Sequence, residues 1–159
     1  MLNCHVESEN RPSTIKELQS AIAYHYQLSQ YHIKLASMML DHRQFYCCII
    51  LCDWALTSMI KALYIQKNHT LRTPSDITMN EILPLVHKDS ILGLDNAIFI
   101  GTVKYLSSLE DSMNFSSMNR IHTKQLLARS KEILNQLAQK LNETRSILDW
   151  PLDSQPLSR

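Results

Sequence analysis

The stretch Phe45–Ile65, FYCCIILCDWALTSMIKALYI, sets the terms for any fold this chain adopts. Its side chains are apolar or aromatic almost throughout, yet Asp53, Thr57 and Lys61 recur every four residues. That spacing lines all three up along one side of an α-helix. A helix with one narrow polar stripe and apolar faces elsewhere belongs in the middle of a bundle, where neighbours cover it. The run from Phe45 to Cys52 is broken by Asp53, short of the roughly 18 apolar residues a membrane span needs. The expectation is a buried core helix with no membrane role.

Composition agrees with a helical fold. A chain of 159 residues is one domain's length, and a domain of that size buries about 70% of its extended-chain surface, so it needs neither disulfides nor metal. Two glycines and five prolines are too few for a sheet protein built on tight turns. A net charge of +1 gives no electrostatic support for nucleic acid or an anionic membrane as partner. The opening MLNCHVESENRPST lacks a basic region followed by an apolar run, so no secretory signal is read there. Four cysteines without such a signal point to reduced thiols and a cytoplasmic location.

Residues 1–12 are polar and aperiodic and read as a flexible arm; 13–149 read as one helical domain and 150–159 as a tail beyond Trp150-Pro151. Thr14 and Glu17 stand at capping-box spacing and open a helix over 14–40, with Ile15, Leu18, Ile22, Leu28, Leu35 and Met39 near one face. Asp41 is the expected cap of the second helix, which runs to about Lys67. Thr78 and Glu81 form a second capping box and start a short helix over 79–87, limited by Pro84. Gly93 punctuates, and a helix over 94–112 follows, its core side expected at Ile98, Val103, Tyr105, Leu106 and Leu109. After a loop at NFSSMN, the last helix over 119–148 places Leu127, Leu134, Leu141 and Leu148 seven apart, with Leu137 between them. Packed inside its own bundle, that seam completes an all-α, up-and-down antiparallel bundle of four long helices plus one short helix.

Few residues carry recognisable chemistry. Cys48 and Cys52 share a helix face, but two cysteines make only half a zinc site, and buried thiols are ordinary core residues. His25 and His32, seven apart on the first helix, are the candidate metal ligands of a four-helix bundle. No HExxH or second histidine pair accompanies them, and Tyr24, Tyr26 and Tyr31 beside them suit a contact surface. Glycine-rich phosphate loops and GxSxG are absent from the sequence, and no cofactor is implied.

WALTSMIKALYIQKN, followed by a polar loop with a proline and then ITMNEILPLV, resembles the HEPN (higher eukaryotes and prokaryotes nucleotide-binding) domain family. Ala55, Lys61, Ala62 and Leu63 match that family's A-x(5)-K-A-L helix. Thr78, Ile82 and Leu85 approximate its T-H-x-L-x-x-L, with Met79 where histidine is usual. LLARSKEILNQLAQKL is similar to the family's closing helix, and the resemblance spans residues 14–148. It implies a homodimer.

Ribonuclease members carry an arginine followed after four to six residues by a histidine, which act on RNA across the dimer. Here Arg120 and His122 are separated by one residue, which turns them about 200° apart on a helix. The expectation is therefore a non-catalytic, homodimeric interaction or regulatory module, with a protein partner possible in addition. The alternatives are a divergent HEPN ribonuclease of toxin or defence type, using Arg120, His122 and Lys104, or a metal-binding four-helix bundle using His25 and His32.

Overall fold

The computed structural model describes residues 14–87, 91–109 and 118–148, all helical or connecting. The expected arm, the tail and most of the NFSSMN loop lie outside the described residues. Five helices lie among the described residues: α1 (Ile15–Asp41), α2 (Phe45–Asn68), α3 (Met79–Val86), α4 (Ile91–Ser107) and α5 (Arg120–Leu148). The chain is all-α over the described residues.

Both capping boxes form. At the start of α1 the Glu17 amide donates to Thr14 Oγ1 at 3.2 Å, and the Thr14 amide donates to Glu17 Oε2 at 2.9 Å. At the start of α3 the Thr78 amide donates to Glu81 Oε2 at 2.7 Å. The Thr78 hydroxyl and amide together hold the Glu81 carboxyl below its ordinary pKa. Each box satisfies amides that have no partner within the helix.

Other boundaries depart from expectation. Asp41 does not cap α2; it is the last residue of α1. The turn closes instead through amides of His42 and Gln44, which donate to Met38 O and Met39 O, with Arg43 at φ 58° in the left-handed region. Gln44 occupies the N-cap of α2 without a side-chain hydrogen bond. Gly93 does not separate α3 from a later helix but lies in the first turn of α4. α4 ends at Ser107, earlier than the expected 112. There the Ser107 and Ser108 hydroxyls donate to Lys104 O and Tyr105 O, an alternative to continuing the helical ladder.

α2 is the hub: it packs on α1 most extensively and also on α3, α4 and α5. Cys48, Ile49, Cys52, Leu56 and Ile60 are fully buried, as its apolar faces require. Taken whole, α2 is long and apolar enough by length and composition to cross a membrane, so the Asp53 interruption does not exclude that. Its most apolar window is 67% buried against the other helices, the condition of a core helix. From α5 the seam Leu127, Leu134, Leu137 and Leu141 is buried together with Ile133. Ser130 fits this seam because its hydroxyl donates to Leu126 O at 2.9 Å.

The buried faces of α1 and α4 overlap the expected ones only in part. α4 packs through Ala97, Ile100 and Val103, while Ile98 and Tyr105 are 54% and 64% exposed. α1 buries Ser29, Ile33, Ala36 and Leu40; Ile15 is exposed and Leu18, Leu28 and Leu35 are half-buried. Both helices carry apolar residues on more than one face, so periodicity alone named a mixed set: Val103 is buried and Ile22 and Met39 pack against the core, while Ile15, Ile98 and Tyr105 do not. Between α4 and α5, Arg129 donates to Asn96 Oδ1 at 3.0 Å and pairs with Glu132 at 2.8 Å, while Asn96 donates to Gln136 at 2.7 Å.

Candidate functional site

The three residues of a nuclease reading are held apart in role. Arg120 and His122 are both exposed in the first turn of α5, where the His122 amide donates to Asn119 Oδ1 at 2.9 Å. Lys104, on α4, pairs with Asp76 of the loop before α3 at 3.2 Å. No hydrogen bond or ion pair among the described residues joins Lys104 to Arg120 or His122. The depression beside Lys104, about 440 Å³, is lined by Asp53, Asp76, Gly101, Tyr105, Ser107 and Ser108. Two carboxylates face one ammonium there, and Asp53 already accepts from Ser107 Oγ at 2.7 Å. That charge balance does not favour a phosphodiester.

His25 and His32 lie half-buried along α1 among aromatic rings. His25 meets Tyr24 edge-on with ring centroids 5.3 Å apart, and His32 meets Trp54 of α2 in the same way at 5.5 Å. Both Nδ1 atoms are buried without a hydrogen-bond partner. Burial lowers the pKa of each, and the Lys61 ammonium lowers that of His25 further. For His32 a backbone hydrogen bond at Trp54 opposes the burial effect. Both are therefore neutral imidazoles at neutral pH, the form that binds metal. Among the described residues, however, no group of three or more His, Cys, Asp or Glu side chains is placed to hold an ion.

The cysteines divide by burial. Among the described cysteines Cys47 is exposed, whereas Cys48 and Cys52, one turn apart on α2, are fully enclosed. The neighbouring Cys48 sulfur, toward which the Cys52 thiol donates, and burial push Cys52 up, out of reach of thiolate chemistry. Under native conditions Cys47 is expected to react with a maleimide within minutes, while Cys48 and Cys52 remain unmodified until the chain is unfolded. Peptide mapping after labelling with and without denaturant checks this; native modification of Cys52 would remove it from the core.

Sequence reasoning missed a second cavity, about 340 Å³, between α2, α3 and α5. Leu63, Gln66, Pro84 and Leu85 line it, and Lys67 and Lys140 reach across it. The Lys67 ammonium donates to Pro84 O at 3.2 Å and that of Lys140 donates to Leu85 O. Cations at carbonyls of the last turn of a helix oppose its negative end, so this arrangement caps α3. The nearby Gln66 amide is spent on Leu141 O at 2.9 Å.

Several large apolar side chains among the described residues stay exposed. Tyr24, Tyr31 and Met38 on α1 and Trp54 on α2 are 60%, 59%, 46% and 52% exposed; the first three share one side of α1, and Trp54 meets α1 at His32, whose ring also meets that of Tyr31. The signal was present in the sequence as Tyr24, Tyr31 and Met38 at intervals of seven, but the same helix has a second apolar row that competes for the core. Compared with family models, curated proteins and solved structures, the chain matches none of them.

Proposed function

We propose that this chain is a non-catalytic, HEPN-like helical bundle of up-and-down antiparallel arrangement that acts by binding, as a cytoplasmic homodimer with an interaction or regulatory role. The observation that carries this reading is the exposed group Tyr24, Tyr31, Met38 and Trp54. Aromatic residues and methionine are enriched at protein interfaces, and a contiguous apolar patch on a folded surface marks a contact site. The absence of catalytic convergence supports it as well. Phosphodiester cleavage needs a positioned base and charge stabilisation within hydrogen-bonding reach of one reacting centre. Arg120 and His122 diverge on α5, and Lys104 is engaged by Asp76.

The test is incubation of the purified protein with mixed-sequence RNA beside an Arg120→Ala, His122→Ala double variant. No cleavage by either is expected. Cleavage by the parent that disappears in the variant would replace this reading with a divergent ribonuclease whose arginine and histidine meet across two chains.

A further inference from the structure

α1 is apolar on two sides, and only one of them is used within the described chain. Ile22, Tyr26, Ser29, Ile33, Ala36 and Leu40 follow one another at alternating intervals of four and three and face the core. Ala21, Tyr24, Leu28, Tyr31, Leu35 and Met38 follow the same alternation, starting with three, on roughly the opposite side of the helix. Three members of this second row are exposed and three half-buried. An apolar row at intervals of three and four is the seam along which one helix packs against another.

We propose that a second copy of this chain covers this row, with the two α1 helices antiparallel about a two-fold axis between Leu28 and Tyr31. The proposal rests on the homodimeric reading above and names its surface. Three observations favour a second copy and this orientation. In the antiparallel register Ala21 meets Met38, Tyr24 meets Leu35 and Leu28 meets Tyr31, so each layer joins a bulky side chain to a smaller one. The parallel arrangement instead stacks Ala21 on Ala21 and tyrosine on tyrosine, leaving a gap at one end and crowding in the middle.

Charge agrees. A two-fold interface sets each group against the symmetric surface, so a row bearing net charge would repel itself. This row has no charged member, and Ser20, Gln27, Lys34 and Asp41, which flank it at intervals of seven, sum to no net charge. One step beyond it, the antiparallel register brings Glu17 opposite His42 at both ends, an acid against a base.

The area is sufficient. An aromatic side chain buries about 150–250 Å² when covered. Enclosing what is exposed of Tyr24, Tyr31, Met38 and Trp54 in both copies therefore removes on the order of 1,000 Å², counting the leucines between. That is about where specific interfaces begin.

Sedimentation velocity of the full chain between 1 and 100 µM tests the surface. The parent is expected to be a dimer, and Tyr31→Glu to weaken the dimer at least tenfold while its helical circular dichroism is unchanged. Tyr105→Glu, an equally exposed tyrosine on α4, is expected to remain dimeric. A parent dimer that survives Tyr31→Glu overturns this surface and leaves the homodimeric reading standing. A parent that is monomeric throughout overturns both.

The register has its own test. Tyr24→Lys is expected to dissociate the dimer, and adding Leu35→Glu to restore it, because residues 24 and 35 oppose each other only between antiparallel copies. A double variant as monomeric as the single one overturns the antiparallel arrangement.

Discussion

Leu56→Ala is expected to destabilise the protein by about 2–5 kcal/mol, the range for removing a large aliphatic side chain from a closed core. Leu56 is fully buried near the middle of α2, the helix that touches every other one. The loss has two parts: the transfer free energy of the deleted carbons and the cavity left where α1, α3, α4 and α5 hold their positions. Alanine is the best helix former, but its advantage over leucine is a few tenths of a kcal/mol and cannot offset a core void. In a chain of this size each kcal/mol lowers the melting temperature by about 2–4 °C. Urea unfolding should show a lower midpoint at an unchanged slope. A variant as stable as the parent would show that Leu56 does not pack in a closed core.

Gly93→Ala is expected to destabilise by about 1–3 kcal/mol, the range for overpacking, although glycine to alanine inside a helix normally gains up to about 1 kcal/mol. A methyl group built at Gly93 comes within 2.9 Å of both the His87 Cα and the Val86 carbonyl oxygen. Those are backbone atoms at the end of α3 and cannot rotate away, so the junction of α3 and α4 has to open. Gly101 makes the contrast. There the added methyl meets the sulfur of Met79 at 3.0 Å, and that flexible side chain can move aside. Gly101→Ala is therefore expected to be neutral or mildly stabilising. Thermal unfolding of both variants checks the opposite signs; equal effects would mean that close approach to the α3 end is not why position 93 is glycine.

The helix starts were legible because a capping box is local: Thr14 with Glu17, and Thr78 with Glu81, carry their hydrogen-bonding partners within three residues. The helix end at Ser107 was not, since serine hydroxyls competing for carbonyls are common and only the packed structure selects the one that terminates. The α1–α2 turn was misread for a related reason. Aspartate is a favoured cap, but backbone amides of His42 and Gln44 closed the turn without it. Of the candidate residues, the sequence placed Arg120 and His122 on diverging sides of one helix. It carried no trace of the Lys104–Asp76 pair, which joins positions brought together only by the fold.

Local chemistry and periodicity by themselves determined that the chain is helical, that α2 is its core helix and that the leucines of α5 line an internal seam. α2 and α5 allow only one solution: α2 is apolar on so many sides that it must be surrounded, and α5 has one apolar row on a polar helix. α1 and α4 each offer two apolar rows. Burying either row gains a similar hydrophobic free energy, which scales with area and has no direction, so nothing within the helix itself selects between them. The tertiary structure decided, by where α2 and α5 stand, that Ile33 and Ala36 turn inward while Tyr24, Tyr31 and Met38 are left to solvent.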